Sequence, residues 1–187
     1  MPLSFLDRLF PFVDQAVWLY LSIYLLMPIG PYLMNKRREI LRYAMGVVVI
    51  GIIADLIFFF WPTICPRPET AEPTAAYHAL TLIDTPFHAF PSLHAAFAVY
   101  SALCAGQVLR DLGARTIWRN AVWLWAFSIL IATLLTKQHV IADLAAGAVL
   151  GFSAHFCVFY RWHFGPKPDV SYSAVAPKST QSNPTVL

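Results

Sequence analysis

Long apolar runs separated by short polar segments dominate the chain. Five runs contain between fifteen and twenty-two residues each, and they lie at residues 15–34, 43–61, 91–109, 121–135 and 139–160. A helix of about twenty apolar residues, rising 1.5 Å per residue, spans the hydrocarbon core of a bilayer. The pattern therefore predicts an all-α protein, a polytopic membrane bundle of about five transmembrane helices.

The segments between these runs differ in length and character. Residues 62–90 contain five prolines and are predicted to form a long loop, because proline interrupts regular structure. Residues 35–42 and 110–119 are basic connections, and residues 1–14 suggest a short interfacial segment. We expect a membrane-embedded domain over residues 1–164 and a flexible cytoplasmic tail over residues 165–187.

The composition supports a membrane protein. Hydrophobic residues make up 58% of the chain and charged residues 12%, whereas soluble domains average about 25% charged residues. The net charge of +3 is small, and no basic stretch is interleaved with aromatic residues in a polar setting, so a nucleic-acid partner is not expected.

The distribution of basic residues predicts an orientation in the membrane. In a five-helix arrangement, ten of the thirteen Lys and Arg residues fall on one side, and only Arg8, Arg67 and Lys137 fall on the other. Because cytoplasmic connections carry the excess of positive charge, the N-terminus is expected to be extracytoplasmic. The pattern favours an integral protein of a bacterial inner membrane.

Two polar segments at the ends of apolar runs carry the candidate chemistry. They are residues 90–94, Phe-Pro-Ser-Leu-His, and residues 136–143, Thr-Lys-Gln-His-Val-Ile-Ala-Asp. His139 and Asp143 are four residues apart and would share one face of a helix, so the carboxylate can orient the imidazole as a nucleophile or base. A buried polar pair that holds helices together would give the same spacing.

The first polar segment is suited to binding an anion. Ser92 is a potential N-cap, and the free amides of a helix start bind anions such as phosphate. His94 follows two residues later, and Arg67 and Lys137 add positive charge on the same predicted side of the membrane. Taken singly, each of these residues could instead be a headgroup anchor or a surface histidine.

In order and spacing, these segments resemble the motifs of the type 2 phosphatidic acid phosphatase superfamily. The resemblance rests on the Arg-Pro at residue 67, the Pro-Ser-x-His at residues 91–94 and the His-x-x-x-Asp at residues 139–143, and it covers about residues 55–152. Phe-Pro-Ser-Leu-His together with Thr-Lys-Gln-His is most similar to the branch of inositol-phosphotransferase-like membrane proteins.

The resemblance implies a phosphohistidine mechanism on a lipid phosphate. His139 would attack phosphorus and Asp143 would orient it, while His94 would protonate the leaving alkoxide. Ser92 would hydrogen-bond a phosphoryl oxygen, and Arg67 would bind the phosphate. Phosphoryl transfer needs mainly positioning and positive charge, so neither a metal ion nor another cofactor is expected.

Three positions depart from the family pattern. Phe60 replaces the expected first-motif lysine, Leu93 replaces the glycine of Pro-Ser-Gly-His, and Thr133 replaces the expected arginine. Leu93 still offers its backbone amide to phosphate. We expect Lys137, two residues before His139, to substitute for one missing cation.

Several alternatives stay open at this point. Hydrolysis and headgroup transfer of the inositol phosphorylceramide synthase type use the same phosphohistidine and differ only in what attacks it. A haem-binding bundle with histidine ligands, or a non-enzymatic scaffold, would also fit an apolar helical chain. The lipid substrate, the oligomeric state and the role of Asp55 are open too. Asp55 lies inside the second run and is expected to face a partner in the protein interior.

Overall fold

The computed structural model describes residues 4–66, 74–84 and 87–159, and these residues form an all-helical bundle, as the apolar pattern predicted. Within them lie eight α-helices: α1 (Val17–Leu21), α2 (Ile23–Leu26), α3 (Ile29–Leu33), α4 (Arg37–Phe60), α5 (Ala75–Ile83), α6 (Leu93–Asp111), α7 (Thr116–Leu135) and α8 (Ile141–Phe159). The predicted tail at residues 165–187 lies outside the described residues.

The first apolar run is a chain of three short helices, α1 to α3. Pro28 and Pro31 lack the amide hydrogen that a continuous helix requires, and the helix is interrupted between α2 and α3. Between α1 and α2 lies Ser22, whose hydroxyl donates a hydrogen bond to the Leu19 carbonyl at 2.6 Å. The whole segment Asp14–Leu33 is nevertheless long and apolar enough to cross a membrane.

The second long helix begins earlier than the sequence predicted. The expected start was near Tyr43, with residues 35–42 as a basic connection, but α4 starts at Arg37. The Glu39 carboxylate accepts a hydrogen bond from the Lys36 amide at 3.4 Å, which satisfies one of the free donors at the helix start. Most of the basic cluster therefore belongs to the first turns of α4.

Part of the predicted loop at residues 62–90 is a helix. The Thr74 hydroxyl accepts a hydrogen bond from the Tyr77 amide and caps α5. Tyr77 and Leu80, three residues apart, bury their side chains. Beyond α5, the ends of the loop approach each other, because the Phe90 amide donates to the Thr63 hydroxyl at 2.8 Å.

Helix α6 lies in the middle of the bundle and packs against α2, α3, α4, α7 and α8. Its closest neighbour is α8, and glycines on α8 allow the approach. A methyl group on Gly147 would lie 2.2 Å from the Ser92 carbonyl oxygen, and one on Gly151 would lie 2.2 Å from the Ala96 carbonyl oxygen. The backbones of α6 and α8 are thus in direct contact.

Among the described residues, four segments are long and apolar enough to cross a membrane: Asp14–Leu33, Arg37–Phe60, Thr116–Leu135 and Ile141–Phe159. They fit an integral membrane protein. Helix α6, the third of the five predicted spans, has a comparable length but contains many small and polar residues, and its neighbours enclose it. The expectation for Asp55 was wrong: this residue is exposed on α4 and does not face the interior.

Candidate active site

The two polar segments meet at one end of the bundle. The rings of His94 and His139 have their centroids 6.2 Å apart. The backbone joins the segments as well, because the Ser92 amide donates to the Asp143 carbonyl oxygen at 3.1 Å. Residues separated by some forty-five positions in the sequence therefore form a single site at the starts of α6 and α8.

His139 lies in the turn between α7 and α8. The sequence placed it inside the last helix, but α8 begins two residues later, at Ile141. Its Nδ1 atom still lies 3.6 Å from Oδ2 of Asp143, whose side chain is fully buried. This arrangement directs Nδ1 toward the carboxylate and leaves Nε2 as the free nitrogen.

Asp143 also supports the turn that carries His139. Its Oδ2 atom accepts a hydrogen bond from the Val140 amide at 3.1 Å. Oδ1 of Asp143 and Nδ1 of His139 are buried, and neither has a hydrogen-bond partner among the residues that the structure describes. Because such atoms are normally satisfied, a small movement of His139 that brings the two together would be favourable.

Lys137 occupies a strained backbone position at the end of α7. Its φ angle is +54°, in the left-handed region that glycine usually fills after a helix. The Lys137 amide bonds to the Leu134 carbonyl at 3.2 Å, and the Gln138 amide bonds to the Thr133 carbonyl at 3.1 Å. These two bonds form a Schellman motif, which closes α7 and turns the chain toward His139.

The Lys137 side chain binds the N-terminal segment, residues 4–13. Its Nζ atom donates to the carbonyl oxygens of Asp7 at 3.0 Å and Phe10 at 2.5 Å. An ammonium group has three donors, so these contacts leave one for another acceptor. The residue expected to bind phosphate therefore also fixes the N-terminal segment beside His139.

Asp7 was not identified from the sequence, but it is buried beside the site. Its Oδ1 atom accepts a hydrogen bond from the Ile141 amide at 2.8 Å and so caps α8 from a position 134 residues away. Burial by itself raises the pKa of Asp7, but hydrogen bonds from Ser4 and Ile141 and the charge of Lys137 together hold that pKa below its ordinary value. Asp7 is thus stabilised as a carboxylate.

Ser92 is the N-cap of α6, as predicted. Its side chain is fully buried, and its hydroxyl accepts a hydrogen bond from the Ala95 amide at 3.3 Å. The amides of Leu93 and His94 lie in the first turn of α6, where a helix provides no acceptor. They are available to an anion that approaches the two histidines.

His94 is contacted by Tyr20, which in turn is bound to Asp84, and the sequence did not place Tyr20 in the site. The His94 ring stacks on Tyr20 of α1 with a centroid distance of 4.0 Å, and the Tyr20 hydroxyl lies 3.1 Å from Nδ1. The same hydroxyl donates a hydrogen bond to Oδ2 of Asp84, just after α5. Partners so distant in the chain leave no local sequence signal.

An apolar cavity opens beside His94. It has a volume of about 360 Å³ and lies between α1 and α5. Trp18, Leu21, Tyr24 and Leu80 line its walls, and Asp84 and His94 provide its polar groups. A second, much smaller cavity of about 10 Å³ lies beside His139 and includes Pro66 and Lys137.

Arg67 is outside the described residues, as are residues 68–73. The residue before it, Pro66, lines the small cavity at His139. Among the residues that are described, no group of three or more His, Cys, Asp or Glu side chains is arranged to hold a metal ion.

A sequence model of the PAP2 superfamily matches residues 39–167. The chain belongs to the PAP2 superfamily. No curated protein and no solved structure matches it.

Members of the PAP2 superfamily are generally phosphatases that act on phosphate-bearing substrates. The matched region contains both histidines of the site, Asp143 and the α6–α8 contact. Asp7 and Tyr20 precede it, so the N-terminal segment and α1 complete the site from outside the part that the PAP2 match covers.

Proposed function

We propose that this protein is an integral membrane enzyme that hydrolyses a lipid phosphate through a phosphohistidine intermediate. The observation that carries the proposal is the pairing of His94 and His139 at one end of the bundle, with ring centroids 6.2 Å apart and a buried carboxylate behind His139. Two imidazoles at this distance can contact one phosphoryl group from opposite sides. The count of basic residues supports an extracytoplasmic location for the site.

In the first step, Nε2 of His139 attacks phosphorus and the bond from phosphorus to the lipid oxygen breaks. Asp143 supports the attack because it stabilises the positive charge that develops on the ring. His94 donates a proton to the leaving oxygen, so the lipid departs as an alcohol. The phosphoryl group is then bonded to His139.

In the second step, water attacks the phosphohistidine. His94, now neutral, accepts a proton from that water, a new phosphorus–oxygen bond forms and the phosphorus–nitrogen bond breaks. Inorganic phosphate leaves, and both histidines return to their starting states. The same residue acts first as acid and then as base, as microscopic reversibility requires.

Positive charge and amide donors stabilise the phosphoryl oxygens in this proposal. The first-turn amides of Leu93 and His94, together with the Ser92 hydroxyl, form the anion-binding start of α6. Lys137 retains one donor for a phosphoryl oxygen, and Arg67 is proposed to supply the second cation. These groups replace the cations that are missing at Phe60 and Thr133.

The cavity beside His94 supports a lipid as the leaving group. The proton donor must contact the leaving oxygen, so the body of that alcohol has to lie on the His94 side of the site. The cavity of about 360 Å³ there is apolar and lined by aromatic side chains, which suits a hydrocarbon chain. If an acceptor alcohol occupied this space during the second step, the outcome would be headgroup transfer.

The experiment that tests the proposal measures inorganic phosphate release by the purified protein in detergent. A panel of lipid phosphomonoesters and diphosphates is offered with a metal chelator present, and wild type is compared with His139→Ala. Release by wild type that is lost in the variant supports a phosphohistidine phosphatase. Undiminished release by the variant, or release that stops on adding chelator, would contradict it, and a transferred headgroup without free phosphate would identify a transferase.

A further inference from the structure

We propose that Tyr20 and Asp84 are positioning residues that orient His94 and favour its protonated form, so that it can donate to the leaving oxygen. This inference rests on the proposed function and extends it to two residues outside the recognised motifs. Neither touches the reacting phosphoryl group in the mechanism above. Both act through the far side of the His94 ring.

Counting donors fixes the direction of the hydrogen bonds. A phenol has one hydrogen to donate, and a carboxylate can only accept. The Tyr20 hydroxyl therefore donates to Asp84, and its oxygen, 3.1 Å from Nδ1 of His94, keeps lone pairs that can accept a hydrogen from that nitrogen. The arrangement favours a proton on Nδ1 of His94, and Nε2 is left to face the substrate.

The same chain of bonds stabilises a positive His94. A protonated imidazole has hydrogens on both nitrogens, and a general acid in the first step needs the second of these on Nε2. The carboxylate of Asp84 polarises the Tyr20 hydroxyl, which in turn interacts more strongly with a charged ring than with a neutral one. Hydrogen bonding to the charged form opposes the effect of burial on His94.

One neighbour of His94, the His139 ring, instead disfavours a positive charge on His94. Of the titratable side chains that the described residues bring against it, Tyr20 comes from α1, Asp84 follows α5, and His139 precedes α8. A positive charge on His139 during the attack disfavours a second positive charge on His94. Asp84 balances this repulsion on one side of the site, as Asp143 does on the other.

Tyr20 is built into the fold firmly enough for this role. Its side chain is 1% exposed and packs with Val17, Tyr77 and Ala132. A phenol that is packed on three sides can hold its hydroxyl in one place between a carboxylate and an imidazole. Tyr32 of α3, which is 88% exposed and does not line this cavity, offers a matched control.

The test uses the basicity of the leaving group. A basic alkoxide needs a proton to depart, whereas a nitrophenolate does not, so loss of the acid affects only the first kind of substrate. Wild type, Asp84→Asn, Tyr20→Phe and Tyr32→Phe are compared on a cleaved lipid phosphate and on a nitrophenyl phosphate with an alkyl chain. Tyr20→Phe keeps the ring that stacks on His94 and removes only the hydroxyl.

We expect Asp84→Asn and Tyr20→Phe each to lower kcat/KM, which reports the step in which the leaving group departs, by about tenfold or more on the lipid phosphate. For the nitrophenyl ester, kcat/KM should stay within about twofold of wild type. The double variant should be no worse than either single variant, since both break one chain. Tyr32→Phe should match wild type on both substrates. Equal losses on both substrates would overturn the inference, because a structural defect does not distinguish leaving groups.

A second measurement does not depend on activity. In protein with ¹⁵N-labelled histidine, assigned by comparison with His94→Ala, the Nδ1 signal of His94 should show a bound proton in wild type and lose this signature in Asp84→Asn. An unprotonated Nδ1 in wild type would overturn the inference alone. Absence of any phosphate release by wild type would instead overturn the proposed function, and the catalytic role of the chain with it.

Discussion

The two halves of the site are held in different ways. His139 is oriented by near neighbours: the Schellman turn at residues 133–138 delivers it, and Asp143, four residues on, faces its Nδ1 atom. His94 depends on Tyr20 and Asp84, and the Tyr20–His94 contact joins residues 74 positions apart. A histidine oriented by near neighbours can be recognised from a short motif, whereas a histidine held by distant residues can be understood only in the folded molecule.

The comparison first predicts that removing His139 lowers turnover far more than removing any residue that orients His139 or His94. His139→Ala should lower turnover by on the order of 10⁶-fold on every substrate, because removing a covalent nucleophile abolishes the intermediate. Phosphate release from a lipid phosphate and from a nitrophenyl ester measures this. His78→Ala is the matched control, since His78 is exposed on α5, and equal damage by both variants would contradict the assignment.

Lys137 separates backbone geometry from charge in the His139 half. Lys137→Ala and Lys137→Gly should both lower kcat/KM by about 10²–10³-fold, as loss of a group that stabilises transition-state charge does. Glycine adopts a φ of +54° without steric strain, so the free energy of unfolding should be higher for Lys137→Gly than for Lys137→Ala, by roughly 1 kcal/mol. Kinetics and thermal unfolding of both variants measure this. Activity that returns with glycine would mean that the turn matters more than the ammonium group.

The contact of α6 with α8 should affect both halves together. Gly147→Ala places a methyl group 2.2 Å from the Ser92 carbonyl oxygen, and such overpacking costs about 1–3 kcal/mol of unfolding free energy. Turnover should fall similarly on lipid and nitrophenyl phosphates, unlike the selective losses expected for the His94 supports. The control is Gly51→Ala on α4, where nothing lies within 4 Å of the added methyl, and a comparable loss there would refute this explanation.

The smallest effect expected is on the cap of α8. Asp7→Asn should lower the free energy of unfolding by about 1 kcal/mol at neutral pH, as loss of a helix cap does. The pKa of Asp7 is lowered in the folded protein, so its contribution is complete above the unfolded value of about 3.9 and is lost as pH falls through the folded value.

Thermal unfolding of wild type and Asp7→Asn across pH tests this sign. The difference between them should be constant from about pH 7 to pH 5 and should shrink below about pH 4. A difference that grows on acidification would contradict the assigned shift. Ser4→Ala, which removes one donor to the same carboxylate, should show a weaker form of the same dependence.

The sequence predicted those features that depend on neighbouring residues. Runs of apolar residues located the long helices. The position of Ser92 at the start of an apolar run indicated a cap, and the spacing of His139 from Asp143 indicated a candidate catalytic pair. The start of the last helix differed from the prediction, since α8 begins at Ile141 and His139 lies in the turn before it. The turn that brings His139 to Asp143 depends on Lys137 in the left-handed backbone conformation, a position where glycine is the usual residue.

Features that depend on distant contacts were missed. Helix α5 was predicted as loop because five prolines lie before and after it in residues 62–90. Its formation depends on the Thr74 cap and on buried residues that pack against α1. Asp7 was predicted to lie in a short interfacial segment, yet its carboxylate caps α8, which begins 134 residues later in the chain. Tyr20 gave no signal at all, since an aromatic residue in an apolar run is ordinary for a membrane helix.

The bonds of the N-terminal segment also determine when the site can exist during biosynthesis. Asp7 and Phe10 leave the ribosome first, but their partners Lys137 and Ile141 are made about 130 residues later. At about 5–20 residues per second, this delay is on the order of ten seconds. A nascent chain that stalls before residue 139 therefore carries the first helices without His139, and the proposed active site forms only when the N-terminal segment has met the turn that precedes α8.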